Sequence, residues 1–190
     1  MKKIRFALIS FVSLIILAAC STKTQSGKQI SSFTFKDQQN RPFGTDELTG
    51  KVWIADFIFT ECETVCLPMS LEMAALQKKF KEQNIEVEFV SFTVDPEVDT
   101  AEVLQKYIRQ FTDDESNWHI LSDYSQNKIE TFAREQFQTI IQKPESSTQV
   151  IHGTNFYLID DQGMLVKEYN YVNRAYKEEI VNDIQKIQKK

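Results

Sequence analysis

The stretch KVWIADFIFTECETVCLPMS, residues 51–70, contains in order an apolar run, two cysteines and a proline. Its first nine residues are almost continuously apolar, which is typical of a central strand buried on both faces. Pro68 suits the start of a helix, because its fixed φ fits that position and its missing N–H would have no partner there. The apolar residues beyond it recur at helical spacing: Met69, Met73, Leu76 and Phe80. We therefore predict a strand, a turn that carries Cys62 and Cys66, and a helix that begins at Pro68.

The segments on either side extend this unit into an α/β domain. IEVEFVSFTV (85–94) alternates in polarity and is rich in β-branched and aromatic residues, so it predicts the next strand. The cysteine turn then lies at the carboxyl end of a strand in a βαβ unit, where such sheets carry their sites. Before this unit, we predict a hairpin at 33–43. After it, we predict helices at 99–111 and 125–137, a short strand at 117–123, a hairpin at 154–170, and a last helix carrying Ile180, Ile184 and Ile187. This order is similar to a thioredoxin-like fold: a central mixed sheet flanked by helices, with an N-terminal hairpin and an insertion.

The N-terminal segment predicts export. MKKIR supplies three positive charges, and the apolar run of residues 6–19 is shorter than the about 20 residues that span a bilayer. LAAC, ending at Cys20, resembles the lipobox of bacterial lipoproteins. We expect a signal peptide at 1–19, a lipidated Cys20, a flexible tether over 20–29 and the domain at 30–190, held at the outer face of the cytoplasmic membrane. The alternative is an ordinary signal peptide in which Cys20 has no role.

The charge of the chain argues against a nucleic-acid partner. The formal net charge is −5, and it falls to −8 without residues 1–19, which contain three cations and no acidic residue. So acidic a surface repels phosphate backbones. We therefore expect no nucleic acid among the partners.

Cys62 and Cys66 could form a disulfide, a metal site or both in turn. On a regular helix, side chains four residues apart have Cβ atoms about 5–6 Å apart. A disulfide requires about 3.5–4.5 Å, so the pair closes easily only if the loop bends, whereas two thiolates at that spread can share a soft metal. The helix N-terminus lowers a thiol pKa while Glu61 and Glu63 oppose it, so the net direction stays open.

A metal site needs a third ligand, and the chain contains only two histidines, His119 and His152. His119 lies on a predicted strand and is interpreted as an ordinary packed histidine. His152 lies in VIHGTNFYL, directly before a strand that in thioredoxin-like proteins follows a cis-proline loop facing the cysteines. Two thiolates and an imidazole left open to exchange suit copper better than zinc, since a structural zinc site would need a fourth ligand such as His119 or a carboxylate.

Three stretches together resemble the Sco/SenC family of thioredoxin-like copper proteins: FIFTECETVC (57–66), SFTVDPEVDT (91–100) and VIHGTNFYLID (150–160). The resemblance covers nearly the whole domain, with Leu67 where the family often has a proline. It implies Cys62, Cys66 and His152 as ligands of Cu⁺ or Cu²⁺, and Asp95 near the site. It also implies assembly of cytochrome c oxidase, by delivering copper to the dinuclear centre of subunit II or by reducing that subunit's cysteines. The copper donor and the reductant are unknown.

Three other functions compete with copper assembly. A metal-free thiol–disulfide oxidoreductase would use Cys62 and Cys66 as a redox-active pair and would leave His152 without a role. A peroxiredoxin would carry P-x-x-x-[TS]-x-x-C at the turn, and ADFIFTEC lacks that pattern. A non-catalytic adhesin or solute binder would leave the two thiols and the histidine unexplained.

Overall fold

The apolar run of residues 51–59 forms the centre of the main sheet in the computed structural model, which describes residues 27–189. The strands described are β1 Lys28–Gln29, β2 Thr34–Lys36, β3 Pro42–Gly44, β4 Trp53–Ile58, β5 Glu88–Thr93, β6 Trp118–Leu121, β7 Asn155–Ile159 and β8 Met164–Asn170. The helices are α1 Cys66–Glu82, α2 Ala101–Ile108, α3 Gln126–Phe132 and α4 Tyr176–Gln188, and a π-helical turn, Ala133–Phe137, continues α3.

β4 is the central strand, as its sequence predicts. All six of its residues are buried, and it pairs in parallel with β5 and antiparallel with β7. The order β1-β8-β7-β4-β5-β6 makes a mixed sheet, and the predicted mixed α/β architecture is confirmed. Because β4 and β5 are parallel, their carboxyl ends lie at one edge, and the cysteines follow β4 at that edge.

The predicted hairpins and helices are present. β2 and β3 form a separate two-stranded sheet, and β7 and β8 pair antiparallel around residues 160–163. The predicted face of α1 is buried at Met69, Met73, Leu76 and Phe80. Ile180 and Ile184 of α4 are fully buried, and Ile187 packs at the edge of the core.

Two predicted boundaries differ from the structure. α1 begins at Cys66, two residues before Pro68, and the first bond of the helix runs from Met69 N to Val65 O, 3.0 Å. Pro68 is tolerated there because the first four N–H groups of any helix lack a partner within it. Lys28 and Gln29, which the sequence placed in the tether, form β1 against β8, because pairing of an edge strand needs no apolar periodicity.

The predicted signal peptide (1–19) and Cys20 lie outside the described residues. Over residues 27–189, no helix has both the length and the apolar character to cross a membrane.

Candidate metal centre

Cys62 and Cys66 occupy two different environments at the start of α1. Cys62 lies half-buried in the loop of residues 59–65, which we call the cysteine loop, whereas Cys66 is the first residue of the helix and is 1 % exposed. The N–H of Cys66 donates to Cys62 Sγ at 3.4 Å, and the Thr64 hydroxyl lies 3.8 Å from the same sulfur. An otherwise unpaired N–H of the helix start therefore points at Cys62, which favours a thiolate there.

His152 completes the site from a segment 86 residues further along the chain. It lies near the end of residues 139–153, the histidine loop, and its Nε2 is 3.3 Å from Cys66 Sγ. Its Nδ1 lies 2.9 Å from Gly153 O, and a carbonyl can only accept, so Nδ1 carries the proton. The Nε2 lone pair therefore faces the sulfur, and the bond to Gly153 orients the ring as a ligand requires.

The three candidate ligand atoms lie within 4.8 Å of one another. Three ligands about 2.2 Å from a shared metal in a trigonal plane would be about 3.8 Å apart, so shifts of about 1 Å or less would close the site. Within residues 27–189, this is the only group of three or more His, Cys, Asp and Glu side chains so placed. The donor set fits a soft metal that accepts low coordination, which is copper(I) better than zinc.

The two thiols are electrostatically unequal, which answers the question that the sequence left open. Hydrogen bonding from the side chain of Cys66 is the largest cause of a lowered Cys62 pKa, about 3, and burial opposes it. The same hydrogen bond, then burial, raises the pKa of Cys66. The reduced, metal-free pair is therefore one thiolate and one thiol that share a proton. Such a pair can bind a metal ion or attack a disulfide.

Asp56 is a residue of the site that the sequence reasoning missed. It lies on β4 with 0 % exposure, and neither carboxylate oxygen has a hydrogen-bond partner among the described residues. Ser91, its register partner on β5, accepts from Trp118 Nε1 at 3.0 Å. Burial raises the pKa of Asp56 to about 7, and the nearby Ser91 hydroxyl opposes the rise. An acidic residue inside the apolar run was the available signal, since a buried carboxyl without a partner is rare outside functional sites.

Asp95 and Asp99 connect the site to the loop after β5. The buried carboxylate of Asp95 accepts from Lys143 Nζ of the histidine loop at 2.7 Å, and it is not one of the three clustered ligands. Asp99 accepts from Thr60 N at 3.2 Å and from the hydroxyls of Thr60 and Thr93. Of the two carboxylates, Asp99 holds the start of the cysteine loop and Asp95 holds the loop that carries His152.

His119 lies away from the candidate centre. It is buried on β6, where its ring stacks on Phe43 with centroids 3.7 Å apart, and it lies between the carboxylates of Asp37 and Glu88. Burial lowers its pKa, so it is a neutral packed histidine, as the sequence predicted. The fourth ligand that a closed zinc site would need is not supplied by His119.

Comparison with known proteins assigns the family. The SCO1/SenC family model matches residues 21–189. The SCO1 protein homolog of Bacillus subtilis is 42 % identical over 176 residues, which cover 90 % of this chain and 91 % of that protein.

Solved structures agree with the sequence comparison. A SCO1/SenC family lipoprotein from Bacillus anthracis superposes with a TM-score of 0.83 at 45 % identity, covering 89 % of this chain and 99 % of that one. BsSco, described as a Sco family cytochrome c oxidase assembly protein with a disulfide switch, gives 0.78 at 42 %, covering 85 % and 94 %. Copper-bound ScoI of Arabidopsis thaliana gives 0.70 at 25 %, covering 84 % and 99 %. The fold is thioredoxin-like, and the chain belongs to the SCO1/SenC family.

Proposed function

We propose that this protein is a membrane-anchored, copper-binding assembly factor for cytochrome c oxidase. It would deliver copper to the dinuclear centre of subunit II, or reduce the cysteines of that subunit so that copper can enter. The observation that carries the proposal is the convergence of Cys62, Cys66 and His152, whose ligand atoms lie within 4.8 Å of one another. The similar proteins support it, since one was solved with copper and another is described as an oxidase assembly protein.

Copper would be held here as cargo rather than as a fixed cofactor. Two thiolates and an imidazole satisfy copper(I) without closing its coordination sphere, so an acceptor's ligand can enter before the donors leave. Cys62 is half-buried rather than enclosed, which gives such a ligand access. Asp95 acts only indirectly, through its ion pair with Lys143 on the histidine loop.

The redox role would use the same two sulfurs. When the Cys62 thiolate attacks a disulfide of the recipient, one recipient thiolate leaves; Cys66 then loses its proton and attacks the mixed disulfide. The products are one Cys62–Cys66 disulfide and a reduced recipient pair; two electrons and the one proton of Cys66 pass to the recipient, and water supplies the second proton when both recipient sulfurs become thiols. A disulfide leaves no thiolate for copper, so the copper-bound and oxidised states are alternatives at one site.

Anaerobic copper titration of the reduced, full-length chain tests the proposal. We expect a one-to-one endpoint, with thiolate-to-copper(II) charge-transfer absorption when copper(II) is used. Cys62→Ser, Cys66→Ser and His152→Ala should each weaken binding by more than about 100-fold, since losing even an outer partner of a ligand commonly costs 10–100-fold.

His119→Gln is the matched control, because it removes the other histidine of the chain from a place away from the site. It should retain the endpoint. Tight binding that survives all three ligand substitutions would exclude the proposed site.

A metal-free thiol–disulfide oxidoreductase is the second candidate, and the unequal thiols favour it. His152→Ala separates the two functions. A copper protein should lose tight binding while its thiol exchange persists. A simple oxidoreductase should show no tight copper binding in the parent chain.

The anchor is a separate part of the proposal. We expect the mature chain to begin at a lipidated Cys20, as the lipobox-like LAAC indicates and as the Bacillus anthracis lipoprotein supports. Mass spectrometry of the protein purified from bacterial membranes should show an N-terminal peptide that starts at Cys20 and carries lipid. Cys20→Ser should carry no lipid, because it lacks the thiol to which the lipid is attached. A parent chain that retains residues 1–19 would contradict this expectation.

A further inference from the structure

Gln149 joins the cysteine loop to the histidine loop. Its Nε2 donates to Glu61 O at 3.0 Å, and its Oε1 accepts from Glu63 N at 3.2 Å. The side-chain amide therefore binds the peptide groups on both sides of Cys62. In the part of the chain that the structure describes, these are the only hydrogen bonds between the two loops; the contact between His152 and Cys66 joins the histidine loop to α1.

The histidine loop is held at its base but has no regular structure between residues 143 and 150. Gln142 and Ile151 exchange two backbone hydrogen bonds of 3.0 and 2.9 Å, which close the loop. Lys143 fixes one side of it to Asp95. Gln149 lies three residues before His152, so its bonds to the cysteine loop act close to the ligand itself.

The geometry of Gln149 restrains Cys62 in particular. A donor and an acceptor on one planar amide fix both the distance and the orientation of the two peptide groups they bind. Cys66 is already held by α1, whereas Cys62 lies in an irregular loop. Ordering that loop before the metal arrives removes part of the entropy cost of bringing Cys62 and His152 to one ion.

We infer that Gln149 is a positioning residue that pre-organises Cys62 and His152 and thereby slows the release of copper. This inference rests on the proposed copper function. Gln149 touches no metal ion; it acts through the backbone on either side of Cys62. Loss of the Gln149 side chain should leave the three ligands and the one-to-one copper endpoint unchanged, but Cys62 and His152 should move apart more often.

The test compares Gln149→Ala with Gln142→Ala in the reduced, full-length chain loaded with copper(I). Gln142 is an exposed glutamine of the same loop whose side chain makes no hydrogen bond to the described residues, so it is the matched control. Transfer of copper(I) to a competing chelator should be on the order of tenfold faster from Gln149→Ala than from the parent, since two neutral hydrogen bonds are lost. Gln142→Ala should release copper at the parental rate.

A second measurement separates positioning from a general loss of stability. Glu63 N–H has Gln149 as its hydrogen-bond acceptor, so its hydrogen exchange in the metal-free protein should accelerate in Gln149→Ala and not in Gln142→Ala. The denaturant midpoints of the two metal-free variants should agree. Parental release from Gln149→Ala, or a midpoint that falls far below that of Gln142→Ala, would overturn the inference. Failure of the parent chain to bind copper would instead overturn the proposed function.

Discussion

Iodoacetamide should alkylate Cys62 of the reduced, metal-free protein at a rate that stays nearly constant between pH 5 and pH 8. Hydrogen bonding from the Cys66 side chain, opposed by burial, lowers the Cys62 pKa to about 3, so this sulfur is a thiolate across the whole range. An ordinary thiol with a pKa of about 8.5 would react on the order of 1,000-fold faster at pH 8 than at pH 5. The pH profile is the decisive readout, because a thiolate of low pKa is also a weaker nucleophile and its absolute rate need not be high.

Cys66 should remain unmodified under the same conditions. It is 1 % exposed, and its hydrogen bond with Cys62 and its burial raise its pKa. Peptide mapping by mass spectrometry distinguishes the two sites from each other and from Cys20.

Cys66→Ala is the informative variant for the alkylation profile. It removes the Cys66 side chain, which is the largest cause of the lowered Cys62 pKa, but keeps the backbone N–H of residue 66, so the alkylation rate of Cys62 should now climb with pH. If the alkylation rate of Cys62 in the parent rises tenfold per pH unit, or if both cysteines are alkylated equally, then Cys62 is not a thiolate beside a protonated Cys66.

Asp56→Asn should remove the fall in stability that the parent shows as the pH rises from 5 to 8, in the reduced, metal-free protein. The folded protein raises the pKa of Asp56 from 3.8 to about 7, because burial disfavours the charged form. The folded state thus holds this proton more tightly than the unfolded chain does. The resulting stabilisation is fully present below pH 3.8 and is lost as the pH rises to about 7. Between pH 5 and pH 8 the parent should lose about 3 kcal/mol that the asparagine variant keeps.

Urea unfolding of the parent and Asp56→Asn at pH 5, 7 and 8 measures this difference. The pH-independent cost of burying an amide without a partner shifts the whole curve of the variant but not its slope. Asp161→Asn, on an exposed turn, is the control and should differ from the parent by less than about 0.5 kcal/mol. Parallel pH curves for the parent and Asp56→Asn would mean that Asp56 does not bind its proton more tightly in the folded state.

Most of the fold could be predicted because its signals are local. The apolar run of β4, the alternation in β5 and the apolar stripe of α1 depend on neighbours within a few residues. Boundaries were less well predicted. Pro68 marks a favoured helix start, but α1 extends back to Cys66, since a helix can begin before its best first residue when tertiary contacts favour it.

The identities of the candidate ligands were also accessible from the sequence. Cys62 and Cys66 are close in the chain, and His152 is one of only two histidines. Choosing His152 over His119 relied on its place before a predicted strand and on the family resemblance. Asp56 was missed because an acidic residue in an apolar run indicates a buried carboxyl but does not show which segments pack around it.

The order of the elements, the pair of cysteines at the end of the central strand and the family to which they point are all encoded in the amino-acid sequence. These properties depend on residue type and short spacing, which the chain carries without folding. Three features depend on folding: His152 Nε2 lies 3.3 Å from Cys66 Sγ, Gln149 binds the peptide groups on both sides of Cys62, and Asp56 has no hydrogen-bond partner among the described residues. Distances between segments, and the pKa values that depend on them, arise only when packing brings those segments together and removes water from between them.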